Sequence, residues 1–142
     1  YGAFVAGLDA GRMYPEYPMM GAHFFPADGW SDRWEPAVLN LLSNPATVQF
    51  VHRHLGLLLV LLLIVLWTTC MRLRLMERQR LAFNLMFSCG IVQFMLGLFT
   101  LVLNMPIPVA VAHQVTACLL LLTNVLAIHA LREPKMVTSR LS

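Results

Sequence analysis

From Leu81 to Leu131 the chain contains no Asp, Glu, Lys or Arg. Charged residues make up only 12% of the whole, against about 25% in soluble globular domains. With a mean hydropathy of +0.69, that deficit excludes a water-soluble domain. Cysteine is scarce as well. Cys70, Cys89 and Cys118 all lie in or at the ends of apolar runs, so no disulfide scaffold or CxxC metal pattern is available. No Walker loop, HExxH motif or Ser/His/Asp grouping occurs, which removes the common hydrolase and nucleotide-binding signatures. The basic residues form short clusters rather than a groove-reading stripe, so nucleic acid is not expected as a partner.

What is present is a membrane pattern. Hydrophobic residues make up 58% of 142 positions, enough for one small bundle and too few residues for a second soluble domain. The uncharged run alone has room for two spans of about 20 residues each. An Asn44-Pro45 pair marks a helix start, because Asn caps free amides and Pro suits the first helical position. Three transmembrane helices are predicted, over about 45–72, 81–103 and 108–131, followed by a basic tail carrying Arg132, Lys135 and Arg140. Residues 12–44 carry Pro15, Pro18, Pro26 and Pro36 among six aromatic side chains, which reads as a loop in the headgroup layer. Within it a short interfacial helix is expected over 32–42, with Trp34, Val38, Leu41 and Leu42 on one face. The chain opens at Tyr1 on an apolar stretch. Residues 1–11 are therefore read as the end of a truncated fourth helix. The fold class expected is an all-α polytopic membrane bundle of three full spans plus that helix end.

Charge distribution orients the bundle. Residues 1–44 sum to −3 and residues 72–80 to +3. By the positive-inside rule the 72–80 loop and the tail face the cytoplasm or matrix. The 1–44 segment and the turn at 104–108 then face the periplasm or intermembrane space. In this topology the first and third spans run parallel. His52 lies about 10 Å and His113 about 8 Å below their helix starts, at 1.5 Å per residue. An ionisable group inside a span is by default a functional candidate. Two imidazoles at one depth either share a haem iron, for which His is a standard axial ligand, or are two unrelated interfacial side chains.

Other polar residues in the spans leave alternatives open. Arg53 either pairs with a haem propionate through its guanidinium fork or snorkels to headgroups. His54 points to a different helix face from His52. His129, sixteen residues after His113, is about 24 Å away along the helix. Gly90 and Gly97 in the second span leave room for close packing of a helix or of a flat ligand, and Gln93 is a buried amide that needs a partner; helix packing is the simpler reading of all three.

Four blocks, in order, resemble one family: GAFVAGLDAG (2–11), NPATVQFVHRHLG (44–56), QFMLGLFTL (93–101) and PIPVAVAHQ (106–114). They are similar to the C-terminal half of the haem A synthase family of mitochondrial and bacterial membranes, in its mitochondrial or alphaproteobacterial type. Pro18 and Gly21 fit the Pro-x-Met-Gly element that follows the first block. The resemblance implies eight spans in two similar halves, of which this chain holds the end of the fifth and all of the sixth to eighth. It implies that His52 and His113 are the bis-His ligands of haem b, with Arg53 and Gln114 as neighbouring cofactor contacts. It implies a role in oxidising a methyl group of haem O to the formyl of haem A, for cytochrome c oxidase. The Glu-x-x-His-Arg motif of the family's catalytic half does not occur here. The expectation is thus an electron-relay half, with haem O bound in the other half and no catalytic residue in this chain. Implied partners are the bilayer, haem, the N-terminal half, and possible contacts with haem O synthase or an electron donor; homo-oligomers are also possible. The implied location is the mitochondrial inner membrane or bacterial plasma membrane, with both histidines on the outer side.

Two departures from the family pattern stand out. Val51 replaces a commonly polar residue before His52, and Ser43 a commonly acidic one before Asn44. The rival reading is a non-enzymatic haem-binding or structural subunit of a respiratory complex. His52-Arg53-x-x-Gly56 faintly resembles the three-span anchor of succinate dehydrogenase. That anchor takes its haem ligand from its middle span, and the middle span here has no His.

Overall fold

The structure is a computed structural model and describes residues 1–132. Glu133, Lys135 and Arg140 of the basic tail lie outside the described residues. The helices are α1 (Gly2–Gly7), α2 (Val38–Ser43), α3 (Pro45–Met71), α4 (Glu77–Val102) and α5 (Ile107–Arg132), with a 3₁₀ turn at Ala10–Arg12. Among the described residues the only β pairing is an isolated bridge between Met20 and His23.

α3, α4 and α5 are each long and apolar enough to cross a membrane. At 1.5 Å per residue, 26 or 27 residues reach about 40 Å, more than the roughly 30 Å hydrocarbon layer. Only 11–22% of their most apolar windows is buried within the chain. Leu62, Val65, Leu121 and Leu122 are among the many exposed side chains. Water could not cover that much apolar surface without a large hydrophobic cost, so lipid or further helices must. The protein is a multi-pass membrane helix bundle.

Helix starts follow local chemistry. The Asn44 side chain accepts the Ala46 N–H at 3.1 Å, with Pro45 at the first helical position. α4 begins at Glu77, four residues before the expected 81. The Met76 N–H donates to Gln79 Oε1 at 3.1 Å, satisfying an amide at the helix end. Arg78 and Arg80 are good helix formers. Loss of apolarity marks the membrane boundary, whereas the helix runs on by a turn into water. α5 likewise continues to Arg132. The interfacial helix is shorter than the expected 32–42 and covers Val38–Ser43. Pro36 disfavours helical geometry at Glu35, so Trp34 lies outside the helix and cannot share its face.

α4 and α5 form an antiparallel hairpin, and α3 packs on α4 less extensively. The buried core clusters Leu63, Cys70, Phe83, Met86, Leu120 and Ala127, and Trp67 stacks on Phe87 at 4.7 Å. Gln79 donates to the Ala130 carbonyl at 3.1 Å and ties the hairpin there. This packing occupies the end of the bundle near the 72–80 loop. The opposite end is built differently, from the 8–37 loop wrapped over the start of α3.

Asn40 organises that loop. It is 1% exposed. Its Oδ1 accepts from the Ser31 N–H and from Asn44 Nδ2, each at 3.1 Å, and its Nδ2 donates to the carbonyls of Ser31 and Trp34. Replacing it with Leu leaves several buried polar groups unpaired at about 1–3 kcal/mol each before relaxation. Asn40→Leu should lower stability by about 3 kcal/mol, seen as a lower melting temperature in lipid nanodiscs. Tyr14 shows the other kind of tie. Its hydroxyl donates to Asp28. That bond, with some burial and the negative charges of Asp28 and Glu16, raises the Tyr14 phenol from 10.0 to about 12. The raised value means the fold favours the protonated phenol. This contribution to stability is complete below pH 10 and is lost as pH rises through about 12. Tyrosinate absorbance should show one late-titrating phenol that Asp28→Asn returns toward the ordinary range.

Candidate functional site

His52 of α3 and His113 of α5 meet at the loop-covered end of the bundle. Their ring centroids are 6.5 Å apart with planes at 85°. α3 and α5 share no interface comparable to those each makes with α4, so the two rings face each other across the side of the bundle.

α4 supplies the seat for His113. Its Nδ1 is 3.0 Å from the Gln93 main-chain carbonyl, and its Nε2 is 3.4 Å from Gln93 Nε2. A methyl group at Gly97 would stand 2.8 Å from His113 Cε1, so only glycine admits the ring there. Gly90, one face-repeat earlier, makes room instead for a Leu63 methyl. The glycines expected to mediate packing thus divide their work, one receiving a core leucine and one an imidazole. On the other side, Gly2 of α1 lies against His52, with Cε1 3.5 Å from where a Cβ would be.

Arg53 is turned to the loop. Its guanidinium donates to the carbonyls of Tyr14, Glu16 (2.8 Å) and Met19 (3.4 Å). One turn earlier on α3, Gln49 Nε2 donates to the carbonyls of Gly11 and Tyr14, each at 3.2 Å. These two side chains bracket His52 and bind the loop backbone down beside it. Gln114 is exposed, one residue round the helix from His113. His54 is not part of the pair. Its Nδ1 meets the Phe50 carbonyl at 2.8 Å, and its ring packs among Phe24 and Phe50. His23 lies in the loop and His129 in the last turn of α5.

Among the described residues, the buried side-chain polar atoms without a partner are Gln49 Oε1, Arg53 Nε and Gln93 Oε1. All three belong to residues beside the two histidines. A buried orphan atom costs free energy and calls for a specific reason, such as an absent ligand or water. His is a standard ligand of haem iron, and two imidazoles brought to 6.5 Å could both face one metal. Two histidines do not make a closed metal site, and no group of three or more His, Cys, Asp or Glu capable of holding an ion occurs among the described residues. The donor set suits a metal carried by its own macrocycle.

A family profile described as cytochrome oxidase assembly protein (COX15-CtaA) matches residues 1–125. The chain belongs to the COX15-CtaA family. It is 39% identical over 120 residues to the heme A synthase of Wolbachia sp. subsp. Brugia malayi, covering 84% of this chain and 33% of that protein. It is 40% identical over 129 residues to the heme A synthase of Azorhizobium caulinodans, covering 91% and 36%. With the human heme A synthase COX15 it shares 39% over 125 residues, covering 88% and 30%. The chain spans about a third of the length of these curated relatives and matches their C-terminal part. No solved structure matches it.

Depth alone singles out His52 and His113 as a pair in the sequence, and the structure sets their rings 6.5 Å apart. The sequence offers Gln93 and Gly97 as packing positions, and the contacts of both with His113 are visible only in the structure. Their four-residue spacing was the available signal, since it puts a carbonyl and a gap on one helix face. Nothing in the sequence pointed from Arg53 to the loop carbonyls.

Proposed function

We propose that this chain forms a haem b-binding, electron-relay module of a haem A synthase, with His52 and His113 as the residues that would hold the haem iron. One observation carries the reading: two imidazoles from separate helices brought to 6.5 Å, with the unpaired polar atoms gathered beside them. When bound, haem b supplies reversible one-electron transfer at the iron. The chain's own residues hold and surround it. His113, bonded through Nδ1 to the Gln93 carbonyl, offers Nε2 as ligand. Arg53 keeps a buried Nε–H without a partner, a donor suited to a propionate, while its other nitrogens hold the loop. Gln114 contributes at the exposed rim.

The whole reaction proposed for the parent enzyme is oxidation of the haem O methyl to the formyl of haem A. The substrate would sit with the Glu-x-x-His-Arg half, with no catalytic residue in this chain. The sidedness follows from charge: the net-negative loop and both histidines on the periplasmic or intermembrane-space side, the 72–80 cluster inside. Protein purified in nanodiscs and given protohaem should bind one haem per chain with a low-spin, six-coordinate spectrum. A high-spin spectrum, or no uptake, would overturn the reading in favour of a structural membrane subunit.

A further inference from the structure

The geometry points to Gln93 and Gly97 as a socket that fixes the ring tautomer of His113 and leaves its Nε2 as the ligating atom. The inference rests on the haem reading for its purpose, although its geometry stands in the unloaded chain.

A neutral imidazole has one N–H and one bare nitrogen, and its neighbours decide which is which. At His113 both neighbours come from one residue. The Gln93 main-chain oxygen, 3.0 Å from Nδ1, has no proton to give, so Nδ1 must donate. The Gln93 side-chain amide nitrogen, 3.4 Å from Nε2, is placed to donate to a bare Nε2. The main-chain carbonyl decides the tautomer, and the amide contact agrees with it. That tautomer presents a lone pair at Nε2, as an axial ligand requires.

Gly97 makes the first contact possible. In a helix the carbonyl of residue 93 bonds the amide of residue 97, and a side chain at 97 shields that carbonyl from neighbours. Here the missing Cβ lets the imidazole lie on the helix surface, with Cε1, Nδ1 and Nε2 at 2.8, 3.3 and 3.5 Å from the Cβ position. The amide contact is the weaker of the two. It is long, and the amide's Oε1 is buried without a partner. The side chain is thus held loosely and can yield the Nε2 face to iron, while the main-chain carbonyl stays in place. Gln93 and Gly97 are positioning residues. They act on iron only through His113.

The test compares wild type, Gly97→Ala, Gln93→Leu and, as a control, Gly56→Ala, whose added methyl would meet nothing within 4 Å. Ring-nitrogen NMR of ¹⁵N-histidine-labelled, haem-free protein reads the tautomer directly. Wild type and Gly56→Ala should carry the His113 proton on Nδ1. Gly97→Ala should move it wholly or partly to Nε2, even though Ala favours helix over Gly. Gln93→Leu keeps the carbonyl and should keep the Nδ1 proton. After protohaem loading, Gly97→Ala should lower haem affinity about 10- to 100-fold, the usual cost of losing a ligand's outer partner. It should also raise the midpoint potential, because a less basic imidazole stabilises ferric iron less. A wild-type proton on Nε2, or no tautomer change in Gly97→Ala, overturns the inference. So does an unchanged potential in loaded protein. Should Gly97→Ala fail to fold, wild type and Gln93→Leu carry the test, and a proton on Nε2 in either overturns it. If wild type takes up no protohaem but the tautomers behave as expected, the socket stands and the haem reading falls.

Discussion

Replacing His113 with glycine should abolish the low-spin haem spectrum, and added imidazole should restore it. The same should hold for His52→Gly. Under the proposed function each histidine would supply one bond to the haem iron, so either loss should release the haem or change its spin state. Losing an outer partner of a ligand costs about 10- to 100-fold in affinity, and losing the ligand itself should exceed that range. Glycine leaves space where the ring was, so free imidazole can enter and take up the bond. Rescue separates a missing ligand from a collapsed bundle, which imidazole would not repair. His54→Ala supplies the contrast. That ring sits two residues from His52, yet it is engaged with the Phe50 carbonyl and packed on Phe24. Its loss should leave the spectrum intact. An unchanged spectrum in both glycine variants, or equal loss in His54→Ala, would sink the assignment.

Arg53→Ala should free the outer loop and lower stability by about 2–3 kcal/mol. Hydrogen bonds to a charged group contribute about 1.5–3 kcal/mol each when buried. Arg53 makes three, to Tyr14, Glu16 and Met19. Two of them lie where water reaches, so the sum is well below three full bonds. Arg53→Lys keeps the charge but not the planar fork, and cannot span three carbonyls at once. It should recover less than half of the loss. The measurements are the melting temperature in nanodiscs and the rate of protease cleavage within residues 12–20. A change below about 0.5 kcal/mol with unaltered cleavage would show that Gln49 and Asn40 hold the loop without Arg53.

His52, His113 and Arg53 also show what kind of information the sequence carries. His52 and His113 were legible because depth in a membrane is a one-dimensional quantity, and counting residues from a helix start measures it. Arg53 was read between a propionate and the headgroups, whereas the structure aims most of its fork at loop carbonyls. Main-chain carbonyls are the same for every residue, so no sequence pattern announces them. The α4 start was misplaced for a related reason. Hydropathy reports where lipid ends, and the helix continues through Glu77–Arg80 because hydrogen bonding does not require apolar side chains. The Pro-rich loop was recognised as irregular, but its organiser was not. Asn40 carries no sequence mark of that role, which arises only where Ser31, Trp34 and Asn44 come around it.

By itself the sequence determined the class of the protein, its three spans, the charge pattern on which their proposed orientation rests and the family resemblance. Each of these depends on composition or on order along the chain. The tertiary structure decided which side chains meet. It turned a shared depth into a ring-to-ring distance of 6.5 Å and gave His113 a carbonyl and a gap on α4. It also gathered the unpaired atoms of Gln49, Arg53 and Gln93 around the same place. Those facts depend on how the helices are rotated about their axes. Rotation is set by packing among residues distant in sequence, such as Leu63 in Gly90's gap. The stretch from Leu81 to Leu131 lacks charge because lipid surrounds it. Its few polar side chains turn mostly to main-chain carbonyls, as His113 does to Gln93 and Thr100 to Leu96.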